Sequence, residues 1–423
     1  MALAAVAALY HADWPVYKAA MHQIGVTVFY YPFLDFEAML GGAQCWQHGI
    51  DVYHYNPCDV LGRGHSYSPL WLRIPFLPGI AWETTIGWGF AIGFYLSLGL
   101  LGPARNRWAL ALMIAAAVSP PVAFALERAN VDALMFILMA AGGGLLLFGP
   151  GIRVGGYAIL LLAALLKFYP AVTLILAFRE RPRLFAPVIA TAGTIFGAFL
   201  IYFWREILLL PMNIPSGSYF SDFIFAANLP NGAAFAFRWE HWPLAEPVAI
   251  AIWVLLAAIT LATIFQMATW PRLAADFAAL SLAERIFLLL GGVAMAGCFF
   301  SGPNIGYRSI HLIFAIPGMT ALAIVGRDKS VRWFALANSI ILGVLIWDGA
   351  LTWRTHIPRT DLGLSVAAVE WVVRELMWWW LVSVFLGLIV VFVIESNVVA
   401  GIRSRRRQVS SVEMPIHAER SGR

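Results

Sequence analysis

The chain has 423 residues, of which 61% are hydrophobic and 12% are charged, and its formal net charge is +5. Soluble domains usually carry about 25% charged residues. Because the deficit extends over the whole length, the composition excludes a soluble domain with one anchor and predicts a polytopic membrane protein. The excess positive charge is largely arginine in short loops, which is typical of membrane topology, so we expect no nucleic-acid partner.

Apolar segments long enough to cross a bilayer follow one another along the chain. They cover roughly residues 83–102, 108–126, 131–148, 184–204, 247–267, 285–301, 309–326, 333–351 and 376–396. A weaker segment at 14–34 contains Lys18, His22 and Gln23, and the sequence leaves open whether it crosses the membrane.

The segment 155–178, "GGYAILLLAALLKFYPAVTLILAF", has Lys167 and Pro170 in its middle. Proline removes a helix hydrogen bond and disfavours the α conformation of the residue before it. We therefore predict two half-helices that meet at "KFYP" instead of one crossing. With this break, every arginine cluster falls on the cytoplasmic side, as the positive-inside rule requires.

The same count places the loop 31–82 outside, together with most of the other large polar loops, 205–246 and 352–374. The predicted architecture is one all-α transmembrane domain over residues 1–402, with about 11–12 membrane helices including the broken pair. A basic cytoplasmic tail follows at 403–423, where "RSRRRQ" is found.

Asp35 begins a helical pattern in the first external loop. Apolar residues recur behind it at helical spacing up to Trp46, and Gly49 closes the pattern, which indicates a helix lying flat in the interface. Asp35 is interpreted either as the N-cap of that helix or as a general base at the edge of a cavity, and the two roles are compatible.

Several ionisable residues lie at predicted membrane ends, where charge is costly and usually functional. They are Glu127, Arg128 and Asp132 in "ERANVD", Lys167 in "KFYP" and Arg308 in "PNIGYR". Simpler interpretations stay open: a structural Glu127–Arg128 pair, a Lys167 that reaches the interface, and an Arg308 that is an ordinary loop cation.

Lys167 near Tyr169, and Arg308 beside Tyr307, together predict a phosphate-binding site. By contrast, His48, His54 and His65 lack the spacing of metal ligands, so we expect no metal. If the loop is external, Cys45 and Cys58 meet an oxidising compartment, and they either form a disulfide or pack as separate small side chains. Cys298 is expected to stay reduced.

Four motifs carry a resemblance to a known family. "FLDFEAMLGGAQCWQHGIDVY", "YSPLW", "ERANVD" and "KFYP" occur in this order over roughly residues 30–180. They resemble the polyprenyl-phosphate-sugar-dependent glycosyltransferases of family 87, membrane enzymes of the GT-C fold that include mannosyl- and arabinofuranosyltransferases. "CFFSGPNIGYRSIHLIF" at 298–314 is similar to a group of uncharacterised proteobacterial members. The sequence departs from the family in its poor first span.

The resemblance implies transfer of a hexose or pentose from a polyprenyl-phosphate donor to a lipid or glycan acceptor, without a cofactor. It implies a bacterial inner-membrane enzyme whose active site faces the periplasm, with Asp35 as the base. The expected donor-phosphate residues are Lys167, Tyr169, Tyr307 and Arg308, and the other expected cavity residues are Tyr67, Glu127, Arg128, Asn130 and Asp132.

Three other functions stay open at this point. A glycan ligase or polymerase also uses external loops and a lipid-phosphate donor, and its key residues would be expected in 205–246. A transporter of lipid-linked glycans would also use broken helices with ionisable residues, although the sequence shows no inverted repeat. A non-catalytic assembly partner would keep working when Asp35 is replaced.

Overall fold

A computed structural model describes residues 9–214, 223–239, 243–349 and 361–401. The first half of the chain contains the α-helices α1 Trp14–Gln23, α2 Leu34–Gln47, α3 Glu83–Ser97, α4 Arg107–Ala117, α5 Pro120–Glu127, α6 Val131–Leu145, α7 Pro150–Leu166 and α8 Pro182–Tyr202. The second half contains α9 Trp204–Leu209, α10 Asn228–Trp239, α11 Ala245–Ala268, α12 Pro271–Ala278, α13 Leu282–Ser301, α14 Leu312–Val325, α15 Lys329–Ile346 and α16 Asp361–Ile394.

Shorter 3-10 helices connect these elements: Pro69–Arg73, Ile80–Trp82, Leu98–Leu101, Tyr169–Arg179, Leu210–Asn213 and Gly306–His311. Within the described ranges the only β pairing is an isolated bridge between Ile224 and Asn304. The prediction of an all-α protein is therefore confirmed.

Eight helical segments of the described chain are long and apolar enough to cross a membrane. They are Ile80–Leu101, Arg107–Glu127, Pro182–Tyr202, Ala245–Ala268, Leu282–Ser301, Gly306–Val325, Lys329–Ile346 and Val366–Gly401, and three shorter apolar helices accompany them. Leu282–Ser301 and Gly306–Val325 are central, with 78% of their apolar window buried, whereas only 11% of Pro182–Tyr202 is buried. An exposed apolar helix surface of this kind is suited to lipid, as expected of a multi-pass membrane protein.

The predicted break at "KFYP" is present. α7 ends at Leu166, Lys167 is extended (φ −155°, ψ 123°), and the 3-10 helix Tyr169–Arg179 follows with Pro170 in its first turn. The two halves are antiparallel, because Glu180 at the end of the second half accepts hydrogen bonds from Arg153 (2.8 Å) and Tyr157 (3.0 Å) near the start of the first. Irregular backbone at membrane depth is tolerated only where protein or a wet cavity surrounds it.

The basic clusters within the described residues lie at one end of the bundle. Arg105 pairs with Glu284 at the start of α13, where Ser281 and Glu284 also form a capping box. Asn397 near the end of the described chain donates to the carbonyl of Arg179 (2.7 Å). The "KFYP" break and the Asp35 helix lie toward the opposite end, since α13 runs from Glu284 to the Gly302–Arg308 region beside them.

The structure decides one segment that the sequence left open and corrects one predicted boundary. Residues 14–34 do not form one crossing, because α1 ends at Gln23 and Gly25 then adopts φ +78° tightly against Gly349. α16 begins at Asp361, inside the segment predicted as the loop 352–374. The predicted tail 403–423, residues 215–222 and 240–242 of the predicted loop 205–246, and residues 352–360 lie outside the described residues.

Candidate functional site

The Asp35 helix, α2, is buried on both faces. Its buried residues include Leu34, Asp35, Phe36 and Glu37 in the first turn and the pair Gly41–Gly42 in the middle. A side chain at Gly41 would collide with the carbonyl oxygen of Cys58, so the glycine allows the following loop to pack directly against α2. The prediction of a helix with one face open to water is therefore wrong, because the following loop covers that face.

Asp35 is also not the N-cap. The helix begins one residue earlier, after Phe33, which has a positive φ of 71° and makes no side-chain cap. A tertiary contact causes this start: the N–H groups of Phe33 and Asp35 donate to the carbonyls of Glu127 (2.6 Å) and Arg128 (3.1 Å). Ala129, in the turn between α5 and α6 that faces Phe33, also has a positive φ (44°). Strained backbone of this kind persists only where the surrounding structure holds it.

The freed Asp35 carboxylate is held by three groups. Arg63 donates to Oδ1 (2.8 Å) and Asn130 donates to Oδ2 (2.8 Å), while Arg128 Nη1 lies 3.6 Å from Oδ1. Charge-assisted bonds of this kind fix the orientation of a carboxylate as well as its position. Only 10% of the side chain is exposed, so these protein contacts determine its geometry.

Arg63 was missed in the sequence, although it is the only lysine or arginine between residues 33 and 72. Its guanidinium bridges Asp35 and the buried Asp59, and Arg63 Nε donates to Asp59 Oδ2 at 2.9 Å. Burial works against the charge of Arg63, but the hydrogen bond to Asp59 and the charge of Asp35 together raise the pKa of Arg63 above its ordinary value. The loop thus supplies its own fixed cation to the carboxylate on α2.

A second polar centre is built on Asp132 in the first turn of α6. Its Oδ2 lies 2.7 Å from Lys167 Nζ and 3.2 Å from Arg308 Nε, and its Oδ1 accepts from the hydroxyl of Tyr169 (2.9 Å). His311 Nε2 contacts the same hydroxyl at 2.5 Å, and sequence analysis did not single it out. Three distant motifs, "ERANVD", "KFYP" and "PNIGYR", therefore meet at one buried carboxylate.

Asn130 joins the two centres. Its amide nitrogen donates to Asp35, and its amide oxygen accepts from the backbone N–H of Asp132 (3.0 Å), where it serves as the N-cap of α6. A single asparagine therefore positions both carboxylates.

The "YSPLW" motif supports the broken helix. Ser68 Oγ donates to the carbonyl of Leu165 (2.6 Å), and the indole N–H of Trp71 donates to that of Leu166 (3.1 Å). The last carbonyls of a helix have no partner within it, so these bonds stabilise the end of α7 just before Lys167. Ser68 also caps the short helix Pro69–Arg73.

A cavity of about 380 Å³ lies between these elements. Among the predicted site residues it is lined by Asp35, Tyr67, Lys167, Tyr169, Tyr307 and Arg308. Glu127, Arg128, Asn130 and Asp132 are not among its lining residues. The last three contact side chains that form its wall, namely Asp35, Lys167 and Arg308. Glu127 and Arg128 form a buried pair (3.2 Å), in agreement with the simpler interpretation.

The lining also contains the loop residues Arg63 and His65. Burial lowers the pKa of His65 to about 4, and backbone hydrogen bonds at Ser68 and Tyr67 offset this only in part. Burial, followed by the charge of Asp35, raises the pKa of Tyr67 well above its usual range. The loop therefore presents a neutral imidazole, a neutral phenol and one cation.

Cys45 and Cys58 are bridged, with their Cα atoms 6.1 Å apart. The bridge fastens the loop to α2 a few residues before Arg63. Cys298 is buried and free, as predicted. Among the described residues no group of three or more His, Cys, Asp or Glu is arranged to hold a metal ion.

Fold and site together define a multi-pass, all-α membrane protein with a polar cavity at one end of its bundle. Comparison of the chain with protein-family models, curated proteins and solved structures finds no match.

Proposed function

We propose that the chain is a GT-C-type membrane glycosyltransferase. It moves a hexose or pentose, mannose-like or arabinofuranose-like, from a polyprenyl-phosphate donor to a lipid or glycan acceptor. The observation that carries the proposal is that the carboxylate of Asp35 and the cations Lys167 and Arg308 line the same cavity of about 380 Å³.

Asp35 has the features of a general base. An acceptor hydroxyl must lose its proton as it attacks the oxocarbenium-like sugar, and a fixed carboxylate accepts that proton. Arg63 and Asn130 hold the two oxygens in place, which keeps the base oriented when the acceptor enters.

Lys167 and Arg308 have the features of a phosphate site. Asp132 carries one negative charge against these two positive charges, so the centre keeps a net positive charge. Positive charge in a site that excludes water stabilises a departing lipid phosphate. The Arg308 side chain is 19% exposed, which leaves part of its guanidinium accessible to a ligand.

The positions of the arginine clusters and of the disulfide support an external cavity. Basic loops are retained in the cytoplasm, and they lie at the end of the bundle opposite the cavity. The Cys45–Cys58 bridge persists in an oxidising compartment such as the periplasm. We infer a bacterial inner-membrane protein whose cavity faces the periplasm.

One observation favours the related ligase or polymerase function. Leu210, Pro211, Asn213 and Ile214, from the predicted loop 205–246, line the same cavity. Their side chains are uncharged, however, and the Asn213 amide is engaged by the carbonyls of Tyr53 and His65. The charged chemistry comes from the other motifs, so the transferase is the better supported function.

Purified protein in lipid nanodiscs, supplied with a panel of polyprenyl-phosphate sugars and an extract of membrane lipids, tests the proposal. We expect release of polyprenyl phosphate from one class of donor together with a glycosylated product. Transfer of a preassembled oligosaccharide, but not of single sugars, would instead establish the ligase. No release from any donor would contradict both.

A further inference from the structure

Three arginines lie close together at the end of the bundle opposite the cavity. Arg153 is near the start of α7, Arg179 ends the 3-10 helix Tyr169–Arg179, and Arg285 is near the start of α13. That 3-10 helix packs against both α7 and α13, and Arg179 is within electrostatic reach of Arg153 and Arg285. Because like charges at this range repel one another, the cluster needs negative charge to balance it.

Within the described ranges, one carboxylate pairs with these arginines. It is Glu180, which accepts from Arg153 Nη2 at 2.8 Å and lies 3.7 Å from Arg179 Nε. The neighbouring Glu284 is engaged by Arg105 (2.7 Å). Three positive charges therefore face one negative charge, and the guanidinium group stays protonated even where it is buried.

Arg285 is the group that points to a missing anion. In the part of the chain that the structure describes, its guanidinium makes no hydrogen bond or ion pair, and its Nε is buried without an acceptor. The Nε of Arg153 lacks an acceptor as well. Buried charges are normally paired and buried donors are normally bonded, so this surplus of guanidinium donors indicates an anion that the described residues do not supply.

The surface beside the cluster is apolar and faces outward. Phe148, Ile152 and Val154 flank Arg153 in sequence and are exposed, and the exposed Leu162 continues this surface along α7. In a multi-pass membrane protein, such a surface meets the acyl chains of the bilayer. The arginine cluster therefore lies where the lipid-facing surface ends, at the level of the lipid head groups.

We propose that this cluster binds the phosphate of an anionic phospholipid, in the leaflet that the proposed topology makes cytoplasmic. The phosphate accepts hydrogen bonds from Arg179 and Arg285, and the acyl chains lie along the exposed face of α7. Guanidinium groups donate in pairs to phosphate oxygens, and basic pockets between membrane helices on the cytoplasmic side bind anionic head groups. The bound lipid connects the second half of the broken helix to α13.

Native mass spectrometry of the delipidated full-length protein tests the binding by titration with dioleoyl phosphatidylglycerol or dioleoyl phosphatidylcholine. We expect the anionic lipid to bind at least about tenfold more tightly. Arg285→Gln and Arg179→Gln should each weaken its binding about tenfold, because each removes charge-assisted hydrogen bonds. Arg272→Gln is the matched control and should change binding by less than about twofold. It removes the same charge at the same end, from a side chain that is 72% exposed and pairs with Asp328.

Thermal unfolding in detergent distinguishes a lost site from a damaged fold. Without added lipid, Arg285→Gln should be at least as stable as the wild type, because the substitution relieves repulsion within the cluster. Phosphatidylglycerol should raise the melting temperature of the wild type, as a ligand of the folded state does, and should raise that of Arg285→Gln much less.

Equal binding of the two lipids would overturn the proposal. Equal weakening by Arg272→Gln and the two cluster variants would also overturn it, because the basic surface would then attract anions without a defined site. Inorganic phosphate that stabilises the wild type as much as phosphatidylglycerol does would exclude a phospholipid as the specific ligand. None of these measurements uses a sugar donor, so their outcome is independent of the proposed glycosyl transfer.

Discussion

Lys167 Nζ lies 2.7 Å from Asp132 Oδ2, and this buried pair joins the broken helix to the "ERANVD" turn. Arg308 reaches the same oxygen at 3.2 Å. The lysine interpreted from the sequence as a phosphate ligand is thus also a structural cation, and its site contains a counter-charge. A phosphate that enters the cavity meets a site with two positive charges and one negative charge.

Asp132→Asn tests the structural part of this arrangement. It leaves Lys167 and Arg308 buried together without a counter-charge, and removing one partner of a buried ion pair typically costs about 3–5 kcal/mol of unfolding free energy. Chemical unfolding in detergent micelles measures the loss. Adding Lys167→Met to the variant should recover part of it, and an Asp132→Asn protein as stable as the wild type would show that the pair contributes nothing.

Arg308→Ala tests the phosphate site. Hydrogen bonds to charged groups contribute about 1.5–3 kcal/mol, so donor affinity should fall about ten- to a hundredfold, and Lys167→Ala should behave in the same direction. Titration calorimetry with the donor measures it. Arg153→Ala is a matched control, because that side chain is also 19% exposed and paired with a carboxylate, but at the other end of the bundle. Unchanged donor affinity in both cavity variants would contradict this phosphate site and indicate that the phosphate binds at Arg63 instead.

Cys45→Ser should destabilise the protein through the loss of the Cys45–Cys58 bridge. The bridge closes a loop with a sequence separation of 13, and a loop of that size contributes about 3 kcal/mol in the chain-entropy model. Unfolding curves with and without reductant measure the effect, which reductant should reproduce in the wild type. Cys298→Ser is the control. Labelling of all three cysteines in denatured, unreduced wild type would contradict the bridge.

His65 should make stability depend on pH. Because burial lowers the pKa of His65 to about 4, the unfolded chain, with an ordinary pKa near 6.5, takes up a proton first as the pH falls. The contribution of neutral His65 to the free energy of unfolding is therefore fully present above about pH 6.5. It falls by up to about 3 kcal/mol between pH 6.5 and 4. Melting temperatures over this range measure it, and His65→Phe should flatten the curve. An unchanged slope in that variant would assign the dependence to other groups.

The sequence was a reliable guide where the determinants are local. The membrane segments follow from runs of apolar residues, and the break before Tyr169 follows from Pro170 and Lys167. Asp35, Lys167 and Arg308 are far apart in the chain, and their meeting at one cavity was anticipated from the membrane side assigned by the arginine clusters and from the family resemblance.

The sequence was a poor guide where a tertiary contact competes with a local signal. Asp35 is a good N-cap residue, yet the helix starts at Leu34 because Phe33 is bonded to the Glu127 carbonyl. Arg63 and His311 sit in segments without a periodic pattern, and their roles depend on the carboxylate and phenol that packing brings to them. The signal available for Arg63 was that it is the only lysine or arginine between residues 33 and 72.

Donor turnover by Asp35→Asn, compared with the wild type, tests whether Asp35 is the general base of glycosyl transfer. Loss of a general base typically lowers the rate about a hundred- to ten-thousandfold, and donor affinity should be retained because the phosphate site is intact. Asp276→Asn is the control, since that buried carboxylate accepts only backbone N–H groups of Arg327 and Asp328 at the basic end. We expect loss of turnover in Asp35→Asn alone. Full turnover in folded Asp35→Asn protein would contradict it.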